Sequence, residues 1–279
     1  MVLAAGMEWV TALGGRAEFD AAGNIEAIQL RTSWVTDGDL LKLARLPRLQ
    51  RLDLSRTRIS DQGLGYLKKA SQLREVNLAY AERIGDPAHA IIKEWKQLRR
   101  LSLRGTVVGD ETAVSASTLP NLEVLDIADT LVADIGIEAL ASAPRLKEIS
   151  IGNIRMSELG YQSLRQYTNL QRLDLSGGRH RGSTTLSPRA VQAIASLRQL
   201  RTLQLGHVKL TVENLASLAS LANLDTLGLE YSPEIGDAAI PVLAGWKSLR
   251  WVDLGGTKFT AQGIATLREQ RPDCKVLWE

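Results

Sequence analysis

A single spacing of leucines governs almost the whole chain. The stretch from Leu49 to Leu64 has apolar residues at its first, fourth and sixth positions, followed by a threonine, an isoleucine and a Ser-Asp step. The same frame recurs at steps of 24, 24, 25, 24, 24, 24, 30, 24 and 25 residues. A fixed period in this range is typical of solenoid proteins, in which short units stack in a row. The frame begins at Ile25, Leu49, Leu73, Leu98, Leu122, Leu146, Leu170, Leu200, Leu224 and Leu249.

The first half of each unit is predicted to be a short strand. In the copy at Leu49, the side chains of Leu52 and Leu54 point to one face and those of Arg51 and Asp53 to the other, because a strand alternates its faces. The leucine face fills an interior that no single unit can bury alone, so neighbouring units must stack. The sequence therefore predicts an α/β fold with one parallel sheet backed by short helices.

The second half of each unit carries the features of a helix start. A Ser, Thr or Gly occupies the same place in most units, and an Asp often follows it. A hydroxyl there accepts hydrogen bonds from first-turn N–H groups, and a negative charge suits the helix dipole. We therefore expect the aspartates to cap helices and not to act as catalytic groups. The expected caps are Thr36, Ser60, Gly85, Gly109, Ser157, Ser187, Thr211, Gly236 and Thr260, and the aspartates are Asp37, Asp61, Asp86, Asp110 and Asp237.

The pattern Leu-x-x-Leu-x-Leu resembles the leucine-rich repeat family, and the spacing is similar to that of bacterial members with 24-residue repeats. The resemblance implies a curved horseshoe with a concave parallel sheet and short convex helices. It also implies scaffolding or recognition, without naming a ligand. The predicted organisation is one domain, with an amino-terminal cap of a helix and a strand over residues 1–24, ten repeats over 25–273, and a truncated closing strand over 274–279.

Charge and cysteine content restrict the classes of partner. The formal net charge is only +3 and both signs are interspersed, which disfavours nucleic acid as the partner. Cys274 is the single cysteine, so an internal disulfide and a cysteine metal site are excluded. The sequence contains no membrane-spanning run, and its first residues do not resemble a signal peptide. We expect a cytoplasmic protein, secreted or periplasmic if a signal was trimmed, and assume a monomer.

The sequence gives little indication of catalytic motifs. The histidines His89, His180 and His207 fall far apart in the repeat frame, and none shares the helical spacing of a zinc protease. The G-x-S-x-G motif of a serine hydrolase is absent. We therefore predict that the chain is not an enzyme and needs no cofactor or metal.

Two clusters are expected on the outward face of the strands. Tyr, Trp and Arg are the residue types that anchor protein interfaces. An exposed Trp251 on a face rich in Ser, Gly, Asp and Arg favours a binding role, and the alternative is that it packs on Trp278. The expected partner-binding residues are His207, Glu230, Tyr231, Trp251 and Asp253, and the secondary basic patch is Arg31, Arg56, Tyr80 and Arg104.

The seventh repeat carries one long insertion. Its step of 30 residues exceeds the usual 24, and the extra residues include Arg179, His180 and Arg181 among Gly, Ser and Thr. Such a loop could cradle a phosphate or carboxylate, or serve only as a solvated connection.

These features favour a non-enzymatic recognition module that binds a protein or peptide on its concave face. One alternative is the recognition domain of a larger enzyme or receptor. Another is a polyanion-binding module, whose affinity would fall steeply with salt. Its candidate residues are Arg31, Arg51, Arg56, Arg100 and Arg104 with the loop 179–181.

Overall fold

A computed structural model of the chain describes residues 8–177 and 184–278. The described part begins in a helix at residues 8–12, named α1 here. The chain divides into two compact units, Met1–Leu146 and Lys147–Glu279, and each is described by itself. None of the helices within the described ranges is long and apolar enough to cross a membrane.

The first unit opens with an antiparallel hairpin and continues with parallel strands. Strand β1 (Arg16–Phe19) pairs antiparallel with β2 (Ile25–Gln29). From β2 onward every pairing in this unit is parallel, and apolar residues stand opposite apolar residues, as Ile28 stands opposite Leu52. The further strands are β3 (Arg51–Asp53), β4 (Glu75–Asn77), β5 (Arg100–Ser102) and β6 (Val124–Asp126).

Short helices link the strands of the first unit. Two of them are preceded by single 3-10 turns, Asp37–Asp39 and Asp86–Ala88. The buried faces of these linking helices lie on the leucine side of the strands. The helices are α2 (Leu40–Leu43), α3 (Asp61–Gly65), α4 (His89–Ile92), α5 (Asp110–Ser117) and α6 (Asp134–Leu140).

The second unit repeats this arrangement. Its strands β7 (Glu148–Ser150), β8 (Arg172–Asp174), β9 (Thr202–Gln204), β10 (Thr226–Gly228), β11 (Trp251–Asp253) and β12 (Lys275–Leu277) pair in parallel in that order. The helices are α7 (Glu158–Ser163), α8 (Pro188–Ala195), α9 (Val212–Leu218), α10 (Ile240–Gly245) and α11 (Ala261–Gln270). Single 3-10 turns, Leu164–Gln166 and Asp237–Ala239, follow α7 and precede α10.

The frame leucines form the core of each unit. Leu52 and Leu54 are 2% and 0% exposed in the first unit, and Leu227 and Leu229 are both fully buried in the second. Each such side chain contributes roughly 1.5–3 kcal/mol on burial. Trp95 is also fully buried, and its indole N–H donates to the carbonyl of Leu67 at 3.0 Å. The predicted interior is therefore confirmed.

The helix starts also follow the prediction, with two corrections. The hydroxyls of Ser157, Ser187, Thr211 and Thr260 accept hydrogen bonds from first-turn N–H groups. The hydroxyl of Ser60 does not cap its helix, because it donates to Asp37 at 2.6 Å instead. The aspartates, however, reach the next repeat. We expected each carboxylate to act only on its own helix. Because the repeats stack closely, each carboxylate also accepts a hydrogen bond from the start of the following helix. The contacts run from Asp37 to Ser60, Asp61 to Gly85, Asp86 to Gly109, Asp110 to Ala133 and Asp237 to Thr260.

The third residue after most strands takes the left-handed backbone conformation. Glycine accepts this conformation freely, as Gly105 (φ +67°) and Gly256 (φ +65°) do, whereas other residues pay about 1–2 kcal/mol each. Regular stacking enforces the turn, so large side chains adopt it as well and stand in a row beside the sheet. The residues other than glycine are Thr32, Arg56, Tyr80, Asp129, Asn153, His207 and Tyr231.

Candidate functional site

The left-handed positions of the second unit carry a stacked pair of rings. The imidazole of His207 and the phenol ring of Tyr231 lie with centroids 4.6 Å apart and planes 12° apart. The two residues follow β9 and β10 in neighbouring repeats, so the parallel register sets their separation. Tyr231 is 45% exposed, which leaves a broad aromatic surface facing solvent. Aromatic pairs of this kind contribute about 0.5–1.5 kcal/mol beyond their burial.

Glycines make room for these side chains. A Cβ at Gly256, in the repeat after Tyr231, would lie 2.7 Å from Cε1 of that ring. A Cβ at Gly206 would lie 2.5 Å from Cδ of Glu230, and one at Gly228 would lie 2.9 Å from its Oε2. The side chains of Tyr231 and Glu230 therefore lie flat over bare backbone. The Tyr231 ring and the Glu230 carboxylate both lie close to the main chain of a neighbouring repeat.

The carboxylate of Glu230 is the electrostatic centre of this surface. Its Oε2 is buried and has no hydrogen-bond partner among the described residues. Burial raises the pKa of Glu230, and the negative charges of Asp253 and Asp174 raise it further, against a lowering by a backbone hydrogen bond. A buried acceptor without a donor is costly. This oxygen therefore has a hydrogen-bonding capacity that the described residues do not meet.

Trp251 and Asp253 occupy the outward face of β11. Trp251 is half-buried and stands in register with Thr226 on one side and Lys275 on the other. Asp253 stands opposite Gly228, and its Oδ1 accepts from the main-chain N–H of Gly255 at 2.9 Å. The structure thus brings together His207, Tyr231 and Glu230 with Asp253 as a neighbouring charge, while Trp251 lies two residues before Asp253 on the same strand.

The first unit contains the same kind of column at the equivalent positions. The guanidinium of Arg56 lies over the ring of Tyr80, with Cζ 4.7 Å from its centroid. The ring of Tyr80 in turn lies over Gly105, where a Cβ would approach its Cε1 to 2.6 Å. Each unit therefore has a nitrogen-bearing group, a tyrosine and a glycine in three successive repeats. The likeness follows from the left-handed turn that all six residues share.

The other two arginines of the secondary basic patch, Arg31 and Arg104, do not join Arg56 and Tyr80. Arg104 donates through Nε to Asp126 at 2.9 Å and lies 3.3 Å from Asp129. Arg31 is exposed and forms no ion pair among the described residues, and no ring or side-chain contact joins it to the others. The structure brings Arg56 and Tyr80 together, and it directs Arg104 to carboxylates of later repeats.

The remaining candidate groups are those for catalysis or for metal or anion binding. His89 Nδ1 lies 3.2 Å from Oε2 of Glu111 on the helix side of the first unit. Within residues 8–177 and 184–278, no three His, Cys, Asp or Glu side chains gather closely enough to hold a metal ion. The loop residues Arg179, His180 and Arg181 lie outside the described residues.

The repeat geometry agrees with a sequence match. Residues 46–68 match the family model described as "Leucine Rich repeat". These residues begin shortly after α2 and include β3 and α3, so they cover nearly the length of one repeat. The chain has the leucine-rich repeat fold. A comparison with curated proteins found no sequence relative.

Solved leucine-rich repeat structures share this fold. An internalin (inlF) from Listeria monocytogenes matches with a TM-score of 0.55 at 18% identity, covering 89% of this chain and 72% of the internalin. The ectodomain of the Arabidopsis receptor kinase HAESA, in complex with an IDA peptide hormone, matches with a TM-score of 0.59 at 18% identity. The PEPR1–AtPEP1 complex matches with a TM-score of 0.52 at 20% identity. At these identities the likeness establishes the fold.

The lengths of these leucine-rich repeat proteins differ from that of this chain. The matches cover 87% of this chain but only 40% of the HAESA chain, and 94% of this chain but 36% of the PEPR1 chain. This chain therefore corresponds to less than half of each plant receptor chain.

Sequence reasoning missed several residues that shape the leucine-rich repeat surface. Gly206 and Gly228 were not singled out, although they interrupt columns that carry side chains in most other repeats. The exposed Trp34 was also missed, because its place after the strand is irregular in composition from repeat to repeat. Arg271 is 3% exposed and donates to the carbonyls of Leu243 and Trp246, a role that no local pattern indicates.

Proposed function

We propose that this chain is a non-enzymatic recognition module that binds a protein or peptide on the strand side of its second unit. The observation that carries the proposal is the stacked pair His207–Tyr231 beside the half-buried carboxylate of Glu230. Together they combine a rigid aromatic anchor with an acceptor that lacks a donor.

The physical case rests on three properties of this surface. The stacked rings lose little side-chain entropy on binding, because packing already holds them in one arrangement. The glycines Gly206 and Gly228 hold the side chain of Glu230 close to the main chain, since no Cβ stands in its way, so this side chain is also fixed in position. The half-buried side chain of Glu230 would gain a hydrogen bond by turning its buried, unpaired Oε2 toward a donor of the ligand.

The solved receptors give further support. The HAESA leucine-rich repeat ectodomain holds a peptide hormone, and a second structure of HAESA includes the co-receptor SERK1. We carry over only the class of partner, a peptide or protein. A recognition domain within a larger receptor or enzyme is the second candidate function. The coverage of 36–40% of the plant receptor chains favours it, and it uses the same surface.

A capture experiment with a matched control tests the proposal. The wild-type chain and the variants Tyr231→Ala/Trp251→Ala and Tyr66→Ala are immobilised and exposed to lysate from the source cells, and bound proteins are identified by mass spectrometry. Tyr66 is 45% exposed, as Tyr231 is, but it follows helix α3 on the opposite side from the strands. Thermal melts of all three chains control for folding.

The proposal predicts partners that the wild type and Tyr66→Ala retain and that Tyr231→Ala/Trp251→Ala loses by about tenfold or more, as expected for the loss of an aromatic anchor. Equal capture by all three chains would move the binding surface elsewhere. If only Tyr66→Ala lost the captured partners, the binding surface would lie on the helix side.

A further inference from the structure

A pocket of about 700 Å³ lies in the first unit at the turns that lead from strands to helices. Its volume is within the range of roughly 300–1,000 Å³ typical of ligand sites. The wall includes residues 32–38 of the first repeat together with Arg56, Arg58 and Arg83 from the next two. None of these residues except Arg56 belongs to the clusters described above.

Three arginines face this pocket without counter-charges. Arg56, Arg58 and Arg83 are exposed and form no ion pair among the described residues. A parallel bridge between Ser60 and Arg83 holds the second and third repeats in register at this edge. Arg51 of the same unit, by contrast, lies 2.8 Å from Glu18. The pocket therefore groups three arginines that have no such partner among the described residues.

The acid among the lining residues does not cancel this charge. Asp37 accepts from the main-chain N–H of Ser60 at 2.8 Å and from its hydroxyl at 2.6 Å. Both oxygens are thus directed to the helix start of the next repeat. Guanidinium groups pair with carboxylates and phosphates through two parallel hydrogen bonds. The arginines of this pocket are therefore suited to bind an anionic group of a ligand.

Trp34 supplies the apolar part of the pocket. Its side chain is 80% exposed, more than any other large apolar side chain that the structure describes. An indole this exposed gains a large apolar contact when it is covered. Cations and an aromatic face on one pocket match a ligand that carries an anionic group next to an apolar one.

We propose that this pocket binds an acidic peptide segment, with Arg58 and Arg83 on a carboxylate or phosphate side chain and Trp34 on the apolar residue beside it. A nucleic acid strand would need a basic groove that follows its backbone. The neighbouring strand face alternates in sign instead, with Glu75 in register between Arg51 and Arg100. A single confined pocket therefore fits a peptide better.

Fluorescence anisotropy with labelled short peptides tests this site on the full chain. Four peptides share a Gly/Ser frame and differ at the centre, which is Asp-Asp-Phe, phosphoserine-Ser-Phe, Lys-Lys-Phe or Ser-Ser-Phe. The proteins are wild type, Arg58→Ala/Arg83→Ala, Trp34→Ala and the control Arg45→Ala/Arg74→Ala. The control removes the same charge at two exposed arginines outside the pocket.

The proposal predicts that wild type and the control bind one or both anionic peptides at least about tenfold more tightly than the Lys and Ser peptides, and that the two pocket variants lose this preference. The two anionic peptides separate a carboxylate site from a phosphate site. No preference, or a preference retained in Arg58→Ala/Arg83→Ala, overturns the proposal. Tighter binding of a labelled oligothymidine that the same variant loses also overturns it, in favour of nucleic acid.

The Tyr231→Ala chain separates this site from the function proposed for the second unit. We expect this chain to bind the anionic peptides as wild type does. A loss in Tyr231→Ala equal to that in Arg58→Ala/Arg83→Ala would show that the pocket is not a site of its own.

Discussion

The carboxylate of Asp37 binds the helix start of the following repeat, where it accepts from the N–H of Ser60 at 2.8 Å and from its hydroxyl at 2.6 Å. The contact places the carboxylate against the first turn of α3. A Cβ at Gly63 in that turn would lie 2.9 Å from the Asp37 Cα and closer still to its carboxylate. The glycine is therefore needed for close approach between repeats, although glycine is a poor helix former.

The first prediction compares two glycines of one helix. Gly63→Ala should lower the free energy of unfolding by about 1–3 kcal/mol, because the new methyl group forces main-chain and carboxylate atoms apart. Gly65→Ala should raise it by about 0.5–1 kcal/mol, because a Cβ there meets nothing within 4 Å and alanine favours the helix. Urea unfolding of both variants provides the measurement. Stabilisation by Gly63→Ala would contradict the packing described between the repeats.

The second prediction concerns the charge of Asp237. Hydrogen bonds from the hydroxyl and N–H of Thr260 hold the pKa of Asp237 below its ordinary value. A lowered pKa in the folded state adds stability above the ordinary pKa, and this stability is lost as pH falls through the lowered value. Asp237→Asn should therefore reduce stability at neutral pH and reduce the acid dependence of the melting temperature.

Asp61 provides the contrast for that experiment. Burial raises the pKa of Asp61, the N–H of Gly85 lowers it, and the charges of Asp86 and Asp37 raise it. A raised carboxyl pKa favours the protonated folded form, so its contribution to stability is lost as pH rises through the raised value. Asp61→Asn should thus lose less stability at neutral pH than Asp237→Asn. The reverse order in melts from pH 3 to pH 8 would contradict these pKa directions.

The third prediction concerns Arg271, which is 3% exposed near the end of the second unit. Its guanidinium donates to the carbonyls of Leu243, Trp246 and Leu249 at 3.1, 2.6 and 2.7 Å. Arg271→Leu leaves these buried acceptors without their donor, so we expect a loss of about 3–5 kcal/mol. The exposed Arg201 is the control, and Arg201→Leu should change stability by about 0.5 kcal/mol or less. Calorimetry of both variants measures the difference.

A spectroscopic readout accompanies this variant. The side-chain hydrogen bond from Arg271 lowers the pKa of Asp273 to about 2, from an ordinary value of 3.8. NMR titration of the Asp273 carboxyl should show its pKa rising toward 3.8 in Arg271→Leu. An unchanged pKa would mean that the ion pair does not form in solution.

The regular elements were predictable because one period repeats many times. The burial of Leu52 and Leu54 follows from alternation within a strand, and the cap at Thr211 follows from its place in the frame. The reach of Asp37 to Ser60 was not predictable from that pattern, since it depends on how closely adjacent repeats pack. The burial of Arg271 was not predictable either, because its partners are carbonyls some 22 to 28 residues earlier in the chain.

The proposed binding surface was predictable only in part. The outward column places His207 near Tyr231, but the parallel stacking of the rings depends on a left-handed turn that sequence rules reserve mainly for glycine. The basic patch was predicted from outward position and residue type, so it joined Arg104, which is ion-paired, with Arg56, which is not. The pocket at Trp34 could not be predicted from the repeat pattern, because its lining residues come from three different repeats.

Photo-crosslinking at position 231 tests most directly whether the His207–Tyr231 surface contacts a partner. A benzophenone amino acid replaces Tyr231 in one chain and Tyr66 in another, both 45% exposed, and both chains are irradiated in lysate from the source cells. We predict a discrete crosslinked protein or peptide from position 231 that is absent from position 66 and is competed away by unlabelled wild-type chain. Identical crosslinking from both positions, or none from position 231, would contradict recognition through this surface.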